Sequence, residues 1–534
     1  MQGAHGGVNA QLSKGDVGIL GYGVYIPWQR IRTETIVKER EKGRRDLNEV
    51  LEKVKHGLLL SMKSIAGMLE DTTTLATEAA ENAIKMAGID PSEINTVVVG
   101  TESKPYAVGT VARHVASFVG VGEEAFIGDV EGACNAGMQS LNFVFSQVES
   151  GFAKYGLAIG SDVAQARTGD PLEYSAGAGA GAFVVGRGDP IAEIVDMAPY
   201  SSLLMDFWRR EGAKVPSHFG RTTVEAYIAH VTGAILNLFR RHPEVSISDF
   251  DKITFHQPSG YMPLKTCRLM AQGQFGERLR LSPEEIESKV KPWLRVLDTG
   301  NTYAASTPIA LASILDHSRP GENILAVSYG SGAYSIATWL RVGSGIEKRR
   351  GLVPSVEDYV RRMVEIRLET YKDFVREKLK AVKRRIEFPR IVGELEPMGN
   401  DFIEVTACDG CRRIYLPPRE GCLQYDCKGP LVKIGFPKLA KLRSYEILEF
   451  MGRARHNYNI IRRGEAILVD CKPKELKVGM EVEAVIRRLY CQGKEGLIIY
   501  GPCYRPAFRS LFGASSKARY TPQSSKPSCD PMSK

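Results

Sequence analysis

No apolar run in this 534-residue sequence is long enough to cross a bilayer. Its first thirty residues also lack the basic-then-apolar pattern of a secretory leader. A membrane-spanning or exported protein is therefore not expected, and a cytoplasmic one is. The ten cysteines, with no leader to send them to an oxidising compartment, do not read as a disulfide framework. Four of them gather at Cys408, Cys411, Cys422 and Cys427, while Cys134 stands alone among Gly and Ala, so sulfur has two separate uses here. The first two-thirds of the chain also has no basic surplus. Residues 1–347 carry 33 Lys and Arg against 39 Asp and Glu, whereas residues 348–534 carry 38 against 23, so the net +9 belongs wholly to the C-terminal part. Such a surface suits nucleic acid, an acidic partner protein, the phosphates of a nucleotide-bearing substrate, or simply water.

What is present is an α/β pattern long enough for several cores. DTTTLATEAAENAIKMA (71–87) opens on capping residues and sets Leu75, Ala76, Ala79, Ala80, Ala83 and Ile84 on one helical stripe; INTVVVGTES (94–103) follows as a buried strand with a polar tip. The same pair recurs as VEAYIAHVTGAILNLFRRH (224–242) and FDKITFHQPSG (250–260). GACNAGMQSLNFVF (132–145) leads to the strand YGLAIGSD, and TGNTYAASTPIALASIL (299–315) leads to NILAVSYGSG. Each half reads helix, strand, Gly-flanked turn into helix, strand, which predicts an internal duplication of about 150 residues. Ligands of open parallel sheets gather beyond the carboxyl ends of strands, so Glu102, Cys134, His256, Asn301 and Ser331 are expected to converge.

Each of these residues has a bland reading and a chemical one. Cys134 is either a small core residue or a thiol presented at a helix N-terminus, where positive potential favours thiolate; Gly132, Ala133, Ala136 and Gly137 allow a tight turn and close substrate approach. His256 ends a strand ahead of Pro258, Ser259 and Gly260, a break that aims an imidazole into a cleft. Asn301, beside Gly300, is an N-cap or an amide donor to an oxyanion, and the Gly-Ser-Gly turn around Ser331 offers backbone N–H groups.

Seven stretches, in order, then carry a resemblance: GYGVYIP (21–27), EDTTTLATEAAENAI (70–84), VVGTESKPYAVGT (98–110), EGACNAGMQSL (131–141), FHQPSGYMPLK (255–265), GNTYAAS (300–306) and YGSGAYS (329–335). Residues 15–345 resemble the thiolase superfamily, most closely the archaeal-type 3-hydroxy-3-methylglutaryl-CoA synthases of the mevalonate route to isoprenoids. The ketoacyl synthase III branch is the alternative; it shares a Cys/His/Asn set but lacks a catalytic glutamate where Glu102 stands. The resemblance implies an acyltransferase using acetyl-CoA and acetoacetyl-CoA, with Cys134 carrying the acetyl group, Glu102 enolising it, His256 and Asn301 polarising the ketone, and backbone N–H groups near Cys134 and Ser331 holding the enolate. A homodimer is the expected assembly. Lys265 and Arg268 are candidates for the CoA phosphates, with Arg209, Arg210 and Lys214 behind them.

After about residue 350 the texture changes. VEDYVRRMVEIRLETYKDFVREKLKAVKRRIEF reads as amphipathic helix joining domains. Cys408-x2-Cys411, ten residues, then Cys422-x4-Cys427 make two thiolate pairs suited to a closed tetrahedral zinc site, the second pair looser than usual. EAILVD, MEVEAVIRRL and GLIIYG follow as strands of a small barrel. Residues 350–500 resemble the acyl-CoA-associated proteins built from a helical hairpin, a rubredoxin-like zinc ribbon and an OB-fold, which in archaea bridge acetoacetyl-CoA thiolase to the synthase. Nucleic-acid binding is the competing and disfavoured reading, with Tyr445, Phe450, Tyr458 and Tyr490 as stacking platforms. The expected fold class is α/β: a duplicated thiolase-like fold of five layers (αβαβα) in halves 1–190 and 191–347, a helical linker 348–398, a zinc ribbon 399–433, an OB-fold 434–505 and a disordered tail 506–534.

Overall fold

Asp71 starts the first long helix, α1 (Thr72–Ala87), by a reciprocal cap: its carboxylate accepts the Thr74 amide at 3.1 Å while the Thr74 hydroxyl accepts the Asp71 amide at 3.0 Å. The structure, a computed structural model, describes residues 17–164, 166–379, 390–422, 427–448, 465–491 and 497–508. The small-residue stripe of α1 is buried against strand β1 (Val17–Tyr25), where glycines let the helix come close: a Cβ on Gly23 would stand 2.3 Å from the Ala79 carbonyl oxygen.

The remaining strands of the first half are β2 (Ile94–Gly100), β3 (Phe126–Val130), β4 (Tyr155–Val163) and β5 (Ala178–Arg187); those of the second are β6 (Ala192–Leu204), β7 (Lys252–Phe255), β8 (Asn323–Gly330) and β9 (Gly332–Val342). They form one nine-stranded sheet in the order β7-β8-β9-β6-β1-β5-β4-β2-β3. In the first half β2 runs parallel to β3 and β4, and β5 is antiparallel to β4 and β1. The second half repeats this, with β7 parallel to β8 and β9 antiparallel to β8 and β6, but has no counterpart of edge strand β3. The two half-sheets join where β1 pairs with β6, at Gly18 with Glu193 and Ile19 with Ala192.

Between the half-sheets lie α3 (Ala136–Glu149) and α6 (Ser306–Asp316), so close that a Cβ on Gly137 would stand 3.0 Å from Pro308 Cγ. Helices α1 and α2 (Val111–Val119) cover one outer face, and α4 (Gly220–Arg241) and α5 (Tyr261–Ala271) the other. The duplicated thiolase-like order expected from the sequence is thus visible in strand sequence, strand direction and layer.

The segment expected as a helical linker is different. A short helix (Val356–Arg361) and α7 (Leu368–Leu379) flank a two-residue strand that pairs with Gln29 and Arg30; Val356, Tyr359, Tyr371 and Phe374 are buried in the duplicated domain. These side chains belong to a packed face, not a free connector. Residues 390–397 are β-strand: β10 (Arg390–Pro397) is the first stave of a closed barrel completed by β14 (Leu439–Leu448), β15 (Ala466–Leu468), β16 (Glu481–Cys491) and β17 (Ile498–Pro506). The cysteine region is an insertion between its first two staves, a small sheet of β11 (Phe402–Cys408), β12 (Ile414–Tyr415) and β13 (Leu431–Pro437) whose Val405, Ala407 and Phe436 share the barrel's core. Strand β17 reaches Pro506 and Ala507 is buried; the tail expected to be disordered lies outside the described residues from 509 onward. Among the described residues, no helix is long and apolar enough to cross a membrane.

Candidate active site

Strand β2 ends at Gly100, and the next residues turn into the space beyond the sheet. Asp162, at the end of β4, fixes them: its Oδ1 accepts the Thr101 hydroxyl at 2.8 Å, the Glu102 amide at 2.9 Å and the Ser103 hydroxyl at 2.6 Å, while Oδ2 accepts the Ala304 amide at 2.8 Å. Glu102 is held over Cys134, whose Sγ donates to Glu102 Oε1 at 3.2 Å. Although the Glu102 carboxyl keeps some access from the cleft, loss of bulk water and then the charge of Asp162 push its pKa up to about 8. Asp162 is itself raised to about 6 by burial, against the pull of its donors.

Cys134 lies just ahead of α3, in a turn where Ala133 takes φ 48°. A Cβ on Gly330 would stand 2.2 Å from the Gly132 carbonyl oxygen, so the end of β8 packs directly against this turn. The helix-end placement is as the sequence suggests, but the thiolate expectation needs correcting. Burial, followed by Glu102, drives the Cys134 pKa well above the ordinary thiol value, so the resting group is a thiol hydrogen-bonded to Glu102.

His256 and Asn301 arrive from the second half. His256 follows β7, is 1% exposed, and burial lowers its pKa to about 3, so it is neutral. Its amide donates to Val327 O at 2.7 Å and its carbonyl accepts the Tyr227 hydroxyl at 2.7 Å, while Nδ1 has no hydrogen-bond partner among the described residues. Asn301 Oδ1 accepts the Tyr303 amide at 2.9 Å, leaving the side-chain NH₂ as the group available to a bound oxygen. The local cap and the donor are thus the same side chain used at its two ends. Ser331 sits in the β8–β9 turn and donates to Asp206 Oδ2 at 3.2 Å; the Gly332 amide donates to Oδ1 at 3.3 Å.

Sequence reasoning passed over two acids that organise this site. Asp162 is the polar tip of a predicted buried strand, a signal that marks it by the same rule that marked Glu102. Asp206 is fully buried in an otherwise apolar segment and offers no local pattern. Arg209, only a secondary phosphate candidate, donates to the Glu102 carbonyl oxygen at 3.0 Å. Lys265 lies 5.5 Å above the Tyr261 ring on α5 and Arg268 is exposed on the same helix; neither is in an ion pair among the described residues.

Away from this cleft, the Sγ atoms of Cys408, Cys411, Cys422 and Cys427 lie within 4.8 Å of one another. Gly410 and Gly429 make room: a Cβ on Gly429 would stand 2.4 Å from the Gly410 amide nitrogen and 3.0 Å from Cys408 Sγ. The Gly429 amide also points at Cys427 Sγ, 3.4 Å away.

Comparison with known proteins agrees with the fold. The thiolase N-terminal domain family matches residues 59–178. The chain is 42% identical over 358 residues to the hydroxymethylglutaryl-CoA synthase of Methanothermobacter thermautotrophicus, covering 67% of this chain and 97% of the relative. It is 40% identical over 365 residues to that of Methanopyrus kandleri, covering 68% and 97%. Among solved structures, MvaS in complex with 3-hydroxy-3-methylglutaryl coenzyme A superposes with TM-score 0.61 at 24% identity, over 68% of this chain and 92% of that one. PksG, an HMG-CoA synthase from Bacillus subtilis, superposes with TM-score 0.60 at 21% identity, over 70% and 96%. Two repeats of one strand order around two buried helices, with a cysteine at the first helix, make this a thiolase-like acyltransferase. Within that class, nearly the whole length of each curated relative is matched at 40% identity or above. The chain belongs to the hydroxymethylglutaryl-CoA synthase family.

Proposed function

We propose that the chain condenses acetyl-CoA with acetoacetyl-CoA to 3-hydroxy-3-methylglutaryl-CoA, in the mevalonate route to isoprenoids, through an acetyl group on Cys134. The observation that carries this is the Cys134 thiol 3.2 Å from the Glu102 carboxyl at the start of a buried helix. Cys134 sulfur attacks the acetyl thioester and CoA leaves as the thiol. Glu102, as carboxylate, then takes a proton from the acetyl methyl, with backbone N–H groups near Cys134 and Ser331 holding the enolate oxygen. The enolate carbon bonds to the ketone carbon of acetoacetyl-CoA, whose oxygen is polarised by neutral His256 and the Asn301 amide. The resulting alkoxide is protonated, and water cleaves the Cys134 thioester. Glu102 and its hydrogen bond to Cys134 favour this reading over ketoacyl synthase III chemistry, which would decarboxylate a malonyl thioester.

Lys265 and Arg268, in no ion pair among the described residues and on the helix that follows His256, are proposed to meet CoA phosphates. A homodimer is proposed across edge strand β3, near which Phe126, Phe143 and Phe152 are 49%, 51% and 65% exposed. The four converging thiols fit a structural zinc, and a zinc ribbon inserted in an OB-fold-like barrel is the reading of residues 390–508 that this supports. The division into two thiolase-like halves, 1–190 and 191–347, with the added module after them, is adopted on the same grounds, as are a cytoplasmic location and a role of the module in docking an acetoacetyl-CoA thiolase. Nucleic-acid binding loses its support. Arg487 and Arg505, part of the basic surplus, are buried in ion pairs, and Tyr445 hydrogen-bonds to the Leu476 carbonyl oxygen. The other proposed platforms, Phe450, Tyr458 and the side chain of Tyr490, lie outside the described residues.

The test is a mass spectrum after incubation with acetyl-CoA. One acetyl group on Cys134, absent from Cys134→Ala, is expected; acetylation elsewhere, or none, would overturn the assignment.

A further inference from the structure

The C-terminal barrel touches the loop that carries Glu102 and the two helices beside it, α1 at its cap and α2. The loop runs from the end of β2 to Thr110, the cap of α2. Near its middle, the Tyr106 hydroxyl accepts the backbone amide of Ile498, the first residue of barrel strand β17, at 2.6 Å. Two residues further along that strand, the Tyr500 hydroxyl donates to Asp71 Oδ2 at 2.9 Å. The Tyr500 ring packs on His114 and Phe118 of α2 at 5.8 and 5.5 Å, and His114 in turn stacks on Tyr106 at 6.0 Å. The barrel therefore closes over the loop with one backbone bond, one buried side-chain bond and an aromatic cluster.

From Asp71 the connection runs to the base in short steps. Asp71 caps α1, and its neighbour Thr72 donates from Oγ1 to the Ser103 carbonyl oxygen at 2.8 Å. Ser103 Oγ donates to Asp162 Oδ1 at 2.6 Å, the same oxygen that accepts the Glu102 amide. The Ser161 hydroxyl ties Thr72 O to β4 at 2.9 Å, so the cap of α1, the Glu102 loop and Asp162 form one braced unit. A carboxylate that must reach a methyl group on Cys134 works within narrow tolerances, and small displacements of a base lose large factors in rate. The barrel's Arg488 amide, which donates to Leu69 O at 2.8 Å, adds a third tie just ahead of the cap.

From this juxtaposition we infer that Tyr500 of the barrel, acting through Asp71 and Thr72, is a positioning residue for Glu102, assisted by the Ile498–Tyr106 bond. The inference rests on the reading of Glu102 as the enolising base. The added module is thereby a working part of the condensing site as well as an attachment to it. Tyr500 touches no substrate; its effect is on where the Glu102 carboxyl points.

The full-length protein with Tyr500→Phe tests this, because the ring contacts with His114 and Phe118 stay and only the hydroxyl goes. Three readouts are taken: acetylation of Cys134 by acetyl-CoA, exchange of the acetyl methyl protons with deuterium oxide, and condensation as a function of pH. Expected is unchanged acetylation with exchange and condensation slower by about tenfold, equivalent to ~1.4 kcal/mol of barrel-supplied positioning, and a displaced midpoint of the pH–rate curve. A purely structural hydroxyl would lower acetylation and condensation together and leave that midpoint in place. Should Tyr500→Phe not fold, Tyr106→Phe, which removes the acceptor of the Ile498 amide and keeps the ring stacked on His114, carries the same readouts. Glu102→Gln is run beside them. If it blocks exchange while both tyrosine variants behave as wild type, the positioning role is wrong and the base assignment stands. If Glu102→Gln itself exchanges and condenses normally, the base assignment falls and the positioning role with it.

Discussion

Glu102 and His256 occupy the same place in the two halves of the fold: each lies just beyond the second strand of its half-sheet, β2 or β7, and Glu102 accepts the Cys134 thiol there at 3.2 Å. Duplication has supplied two equivalent strand ends, and burial has given them different chemistry. Desolvation penalises charge at both, so the acid is raised to about 8 and the base is lowered to about 3. At neutral pH both are largely uncharged. One can become a carboxylate by losing a proton within the working range; the other stays a neutral donor throughout.

The pH dependence of condensation follows directly. With its pKa at about 8, Glu102 is ionised in roughly a tenth of molecules at pH 7. A base must be deprotonated to act, so the rate of methyl-proton exchange should rise about tenfold per pH unit below 8 and level off above it. His256, neutral down to about 3, adds no second limb in this range. Rates measured from pH 6 to 9.5 check this, and the rising limb should vanish in Glu102→Gln. A flat profile in the native enzyme would remove Glu102 as the base.

The residues that announce themselves in sequence are those whose local surroundings are unusual. Cys134 among small residues, His256 before a Pro-Ser-Gly break and Asn301 after Gly300 all mark strand or helix ends, and the duplicated order puts His256 at the counterpart of the Glu102 strand end. Asp206 was invisible because its meaning is entirely tertiary: it is buried to accept Ser331, Gly332 and Tyr329, more than 120 residues further along the same half. The barrel was half legible. Its last three staves alternate or carry long apolar runs, whereas β10 mixes charge with apolar residues and falls in the expected helical linker, and β14 lies in the expected OB-fold without a strand pattern of its own. Nothing in the sequence hinted that the barrel begins before the cysteines, since closure depends on β10 pairing with β14 and β15 across the insertion.

The cysteine cluster makes a separate prediction. Four thiols within 4.8 Å of one another with no disulfide among them should take up about one zinc per chain, and binding should release protons as the thiols become thiolates. Cys408→Ser should lower zinc content measured by atomic emission and loosen the β11–β13 sheet, seen as faster amide exchange over residues 402–437. Acetylation of Cys134 should persist, because the cluster lies outside the condensing cleft. Full zinc occupancy in that variant would show that Cys408 is not a ligand.

The strongest test of how the two parts of the chain depend on each other is Arg487. It comes from barrel strand β16, is fully buried, and pairs with Asp470 of its own barrel at 2.6 Å, with Glu70 of the condensing domain at 3.5 Å and with Glu78 of α1. Arg505 of β17 joins the same cluster through Glu78 at 2.5 Å and Glu483 at 2.8 Å. Removing one partner of a buried charge cluster leaves the others desolvated and unpaired, at a cost of roughly 3–5 kcal/mol. Arg487→Met should therefore lower the urea midpoint of the whole protein, and adding Glu70→Gln should recover part of the loss, since Arg487 is the one ion-pair partner of Glu70 among the described residues, whereas Glu78 keeps Arg505. The sign of that coupling distinguishes a shared buried network from two domains joined by a linker. For the same reason, deleting residues 350–534 should not yield an autonomous condensing enzyme, although the duplicated sheet has its own core: it strips both arginines from Glu78 and takes Tyr359, Tyr371 and Phe374 out of the domain's packing. A truncated chain that remained soluble, with an unchanged melting curve and normal acetylation of Cys134, would show that the two parts fold independently.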